Sequence, residues 1–117
     1  MSRRDDANLL RDMLDAAKEA VAFAQGKRRA DLDDDRKLVL SITRLVEIIG
    51  EAAGKVSKEF QASHSEIPWS DIIGMRNRLI HAYFDVDVDR VWDTVHDDLP
   101  PLITALERLI SGEGATS

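Results

Sequence analysis

Within eight residues, Arg76-Asn77-Arg78-Leu79-Ile80-His81-Ala82-Tyr83, the chain gathers two guanidiniums, a carboxamide, an imidazole and a phenol. That inventory suits cleavage of an RNA phosphodiester. RNA carries its own nucleophile, the 2′-hydroxyl beside the scissile phosphate. A protein must add a group that moves protons near neutral pH, which imidazole does best. It must also add fixed positive charge where charge builds up on the phosphate, and the arginine fork matches phosphate oxygens. Such chemistry requires no metal or other cofactor. Elsewhere in the chain no group of histidines and carboxylates has convincing ligand spacing, and His64 and His96 read as surface residues.

On a helix, Asn77 and His81 share a face and Arg78 lies one turn before His81. Arg76 and His81 are five apart, about 140° round the axis. They meet only if the arginine curls round the helix or if two copies of the chain bring them together, and spacing leaves both routes open. It leaves structural roles open as well. Arg76 could be tethered to Glu47 or Glu51, His81 could serve the negative end of its helix, and Tyr83 could be a core or interface aromatic with its hydroxyl satisfied.

Four helical stretches must position these residues. In the first, Leu9, Leu10, Met13, Leu14, Ala17, Ala20, Val21 and Ala24 recur at helical steps. Gly26 ends it, with Lys27-Arg28-Arg29 beside its negative end. The acidic run Asp31 to Asp35 is expected to open the second helix. That helix carries the row Leu38, Ile42, Leu45, Ile49, Ala52 and Val56 beside a second row, Val39, Val46, Ala53 and Phe60. Two rows make a wide apolar face. One of them looks surplus to a single-chain core, and an apolar strip of that kind is best buried against a second copy. Gly50 and Gly54 lie on this helix at a cost of about 1 kcal/mol each relative to Ala, which close approach of another backbone would offset, unless they only kink or loosen the helix. Gln61 to Pro68 reads as a polar connection. Ser70 is expected to cap a third helix running from about Asp71 to His81 or Tyr83. Phe84 to Val88 alternates as a strand would, but no second strand pattern exists to pair with it. It reads as a turn, with Asp87 capping the fourth helix. That helix runs on through Val91, Val95, Leu102 and Leu106 and is broken or kinked near Asp98 by Pro100-Pro101. The segment 111–117 reads as a frayed tail of the single domain 1–117.

The chain has 117 residues, net charge −6 and no cysteine. Disulfides and thiolate metal sites are therefore excluded. No apolar run reaches the roughly 18 residues that span a bilayer, and the charged start argues against a secretory signal. The expected location is the cytoplasm. Affinity for phosphate comes mainly from lysine and arginine, so an acidic chain can hold RNA only through local basic patches. Lys27-Arg28-Arg29, Lys55, Lys58, Arg76 and Arg78 are the candidates, and for the first three the plainer reading is solvated charge.

The stretch Glu66 to Phe84 resembles the signature region of the HepT-like ribonuclease toxins of the HEPN superfamily. Leu45 to Ala53 is similar to the family's second helix, and Val91 to Val95 with Asp98 to Leu102 resembles its last. The likeness runs from about Asp5 to Ile110 in the expected order. Ala82 stands where many relatives carry Gly. The resemblance implies an all-α, HEPN-type four-helix bundle that forms a homodimer, with the two motif helices near a shared cleft. It implies a metal-independent endoribonuclease, the toxin of a toxin–antitoxin pair whose partner is a minimal nucleotidyltransferase. The family's Arg-X4-His-X-Tyr motif falls on Arg76, His81 and Tyr83. Arg76 would then bind the scissile phosphate and His81 would act as acid or base. Asn77 would orient His81 or the phosphate, with Arg78 in support, and Tyr83 would position RNA and be the target of AMP transfer by the antitoxin. Two other readings stand beside it: a non-catalytic nucleotide- or partner-binding subunit of a nucleotidyltransferase complex, and a helical scaffold.

Overall fold

The computed structural model describes residues 3–82 and 85–112. Helix α1 spans Arg3–Ala24, a 3-10 turn Arg29–Asp34, and α2 Arg36–Lys55. Three short helices follow: α3 Lys58–Ser63, α4 Trp69–Ile73 and α5 Met75–Leu79. A two-stranded antiparallel hairpin pairs β1 Ile80–Ala82 with β2 Asp85–Val86. Helix α6, Val88–Asp93, runs through a π-helical turn, Thr94–Asp98, into α7, Leu99–Ser111. Four rods result: α1, α2, α4 with α5, and α6 with α7. The all-α expectation holds, and the hairpin is its single departure among the described residues. No described helix is long and apolar enough to cross a membrane.

The periodic faces form one core. Leu10, Met13, Leu14, Ala17 and Ala20 of α1 meet both apolar rows of α2 and the α7 residues Leu99, Leu102 and Leu106. This corrects the expectation of a surplus row. Val39, Val46 and Ala53 are as buried as Ile42 and Ile49 within one chain. Phe60 is not on α2 at all. The helix ends at Lys55, and Ser57 starts α3 by accepting a hydrogen bond from Phe60 N. Ser57 is itself held by the buried Asp6 carboxylate, which accepts from Ser57 N at 2.9 Å and Ser57 Oγ at 2.6 Å. A local cap thus overrides the seven-residue spacing, and residues 61–63, expected in the polar connection, are the end of α3.

The acidic run behaves differently too. Only Asp35 caps α2, accepting from Leu38 N. Asp31 accepts from Arg28 N and Asp33 pairs with Arg29, and both belong to the 3-10 turn. Gly26 does end α1, at φ +76°. Asp87 caps α6 as expected, accepting from Arg90 N. The break near Asp98 takes the form of the π turn, because Pro100 and Pro101 have no N–H to continue the ladder. The expected tail, 111–117, lies mostly outside the described residues.

The third helix departs furthest from expectation. It starts at Trp69 after Pro68 with no side-chain cap, so Ser70 is not its N-cap, and it breaks at Gly74. It stops at Leu79, where Ile80 adopts extended backbone at φ −120° and ψ 121°. The Leu79 carbonyl finds its donor across the hairpin, in Asp87 N at 2.7 Å, instead of one turn further on. The rod sits on α2 where Gly50 allows it. A Cβ at Gly50 would stand 3.2 Å from the Ile72 carbonyl oxygen and 3.3 Å from that of Ile73. The close approach expected of this glycine is real, and the approaching backbone is α4 of the same chain.

Gly54 has no such neighbour. Its added Cβ would meet only Ile73 Cγ1, at 4.0 Å. Gly54→Ala should therefore raise stability by up to about 1 kcal/mol through helix propensity, a few degrees in Tm. Gly50→Ala should gain less or lose, because its Cβ meets backbone that moves only with α4. Thermal melts of the two variants check this, and equal gains would show that α4 yields freely.

Candidate active site

Arg76 rises from α5 toward α2. Its Nε donates to Glu47 Oε2 at 2.9 Å, and Nη1 and Nη2 make no further protein hydrogen bond among the described residues. One edge of the guanidinium is fixed and the forked end is left for a ligand. Glu47 is shared, because Arg44 donates to its other oxygen and reaches Glu51 at 3.7 Å. Arg44, and after it Arg76, holds the Glu47 carboxyl below its usual range, against the opposing effect of burial. Asn77 lies exposed beside Arg76, on an open groove lined also by Glu47, Gly50, Glu51 and Ile73. The tether to Glu47, one of the plain roles the sequence left open, exists and still leaves Arg76 half-exposed.

His81 stands on β1, not on a helix. The shared face with Asn77 and the neighbourhood with Arg78, both derived from helical spacing, therefore fall away, as does a role at a helix end. The imidazole is exposed, and its Nε2 lies 3.2 Å from Asp87 Oδ2. Asp87 is well fixed. Its other oxygen caps α6, its N–H closes the hairpin on Leu79, and the Arg90 backbone bond and then His81 hold its carboxyl below the usual range. Nδ1 of His81 is the ring nitrogen left for a reacting group.

Arg78 points elsewhere. It donates to the Asp71 carbonyl at 2.8 Å and lines a separate acidic cleft with Asp97 and Asp98. Burial pushes the Asp98 carboxyl up, against the pull of Arg78. Tyr83 lies outside the described residues. Within one chain the hydrogen bonds of Arg76 and His81 therefore run to different elements, α2 and the start of α6. Neither carboxylate was assigned to the site from sequence. Glu47 was considered only as a structural tether, and Asp87 was legible only as a cap.

Glu47 has a pH signature. A carboxylate whose folded pKa is depressed stabilises fully above the ordinary glutamate value of about 4.3 and loses that contribution as pH falls through the folded value. Glu47→Gln should cost on the order of 1 kcal/mol or less at neutral pH, as exposed ion pairs do. The gap to the parent should close as pH drops below 4. Melting curves across that range test it, and a gap that widens in acid would contradict it.

The sequence matches the family described as Ribonuclease HepT-like over residues 13–109. The probable ribonuclease HepT of Thermococcus cleftensis is 37% identical over 107 residues, covering 92% of this chain and 97% of the relative. A Methanocaldococcus jannaschii protein named as a candidate RNase is 31% identical over 107 residues, covering 92% and 98%. One from Caldanaerobacter subterraneus, named in the same way, is 34% identical over 104 residues, covering 89% and 93%. No solved structure matches the chain.

Proposed function

The chain belongs to the Ribonuclease HepT-like family, and from that premise we propose that it is a metal-independent endoribonuclease, the toxin of a toxin–antitoxin pair. The observation that carries this reading is the form of the two motif side chains. Each is pinned on one edge by a carboxylate, Glu47 for Arg76 and Asp87 for His81, and each offers its other edge to solvent.

In this reading the RNA 2′-oxygen attacks phosphorus while the bond to the 5′-oxygen breaks. His81 Nδ1 takes the 2′-hydroxyl proton or returns one to the leaving oxygen. The free fork of Arg76 meets charge on the non-bridging oxygens, and Asn77 orients the phosphate or the imidazole. Asp87 holds His81 in one orientation and one tautomer through Nε2. Arg76 and His81 are anchored on different elements, so a shared pocket built by two copies fits them better than one copy does. The exposed Ile73, which lines the groove with Glu47 and Arg76, offers apolar surface for that homodimer. The antitoxin would be a minimal nucleotidyltransferase that transfers AMP to Tyr83. An anionic adduct beside the motif would repel RNA phosphate.

Purified protein should cleave single-stranded RNA. His81→Ala should lose at least about 100-fold, the lower end of acid–base contributions, and should end growth arrest while leaving the helical signal intact. Arg76→Ala should lose a similar factor. Asp87→Asn keeps the cap, since Asn caps as well as Asp, and should lower kcat by about tenfold with KM little changed. If the parent cleaves no RNA and His81→Ala is as toxic as the parent, the reading fails and a non-catalytic subunit of a nucleotidyltransferase complex replaces it.

A further inference from the structure

A second feature lies away from the motif, between the end of α1 and the α6–α7 junction. A cleft of about 230 Å³ is lined there by Trp92, Val95, His96 and Pro100 on one side and by Gln25 and Lys27 on the other. Val95 is buried beneath it, Trp92 is half-buried, and the remaining four are exposed. The Trp92 and His96 rings stack with centroids 5.1 Å apart and planes 19° apart. Asp97 bonds His96 Nδ1 at 2.9 Å and steadies that ring. The volume is below the ~300–1,000 Å³ of sites that hold drug-sized ligands, so it suits one planar group.

The basic run beside the cleft is mostly spent. Arg29 is bound to Asp33 at 2.9 Å and to Asp89 at 2.7 Å, and Arg28 lies 3.8 Å from Asp31. Lys27 has no carboxylate partner among the described residues, and it is the member of the run that lines the cleft. Its place just past the end of α1 accounts for a cation there. That does not account for an aromatic stack across from it.

We infer that this cleft holds one unpaired base of single-stranded RNA, stacked on the Trp92–His96 pair with a neighbouring phosphate on Lys27. The inference rests on the ribonuclease reading and adds a binding subsite to it. It also resolves a difficulty that reading raises. A chain of net charge −6 repels a polyanion, whereas stacking is indifferent to net charge and tolerant of sequence. The Gln25 amide can donate to and accept from a base edge. A free nucleotide presents the same base and phosphate, so the test separates the two sources.

The experiment measures anisotropy of a labelled single-stranded oligoribonucleotide on the full chain, with the oligonucleotide and mononucleotides as unlabelled competitors. His96→Ala should weaken RNA binding about 5- to 150-fold, the range corresponding to ~1–3 kcal/mol of stacking, and should raise KM with kcat unchanged. Lys27→Gln should lower the salt slope of binding by about one. Trp92→Phe, which keeps the stack, should retain most of the affinity. RNA binding unchanged in both His96→Ala and Lys27→Gln, with the parent active, overturns the inference and leaves the ribonuclease reading standing. Variants that lose mononucleotide binding alone, or binding of the nucleotidyltransferase alone, assign the cleft to that ligand and also overturn it. A parent that neither binds nor cleaves RNA removes the ribonuclease reading and this inference together.

Discussion

One backbone hydrogen bond shapes the motif. The Leu79 carbonyl has the choice of any helix carbonyl near a C-terminus: a donor further along the same helix, or one from elsewhere. It takes the Asp87 N–H, at 2.7 Å. The chain then leaves the helix at Ile80, runs out as a strand and returns as β2, and His81 is carried to within reach of the Asp87 side chain. At the other end of the same segment, the carbonyls of Ile72 and Ile73 lie against Gly50, where a side chain would crowd them. Between these two fixed points Arg76 lands beside Glu47.

The electrostatic character of the site follows from that placement. Each motif cation or imidazole is faced by an acid, which lessens its net charge and fixes its direction. A patch of free lysines would bind phosphate more strongly at long range and in no particular orientation. Here the net charge is unfavourable to RNA, so in the proposed reading recognition would rest on short-range contacts whose geometry is set in advance. The same logic makes an aromatic stack a reasonable means of holding RNA on an acidic chain.

Burial within one chain also changes where a second copy would sit. Helix α2 packs mainly on α1 and then on α4 and α5, and its two apolar rows are largely spent within the chain. Among the described residues the large exposed apolar side chains are Phe23, Leu40 and Ile73, and Ile73 lines the charged groove around Arg76. In the proposed homodimer, that apolar surface at the edge of a charged groove would favour an interface that encloses the motif.

The sequence by itself determined the helical rods, the apolar faces of α1, α2 and α7, the glycine stop at Gly26, the Asp87 cap and the break before Pro100-Pro101. These depend on residues within one or two turns of one another, where side-chain type and spacing act directly. It also determined which residue types the motif holds and which family they resemble. Only the tertiary structure decided that the motif helix stops at Leu79, that His81 sits on a strand, that Glu47 and Asp87 are the partners of Arg76 and His81, and that Val39 and Val46 face the chain's own core. Glu47 and Arg76 are 29 positions apart. Contacts of that kind depend on how rods pack and where loops return, and hydrophobic periodicity carries no record of either.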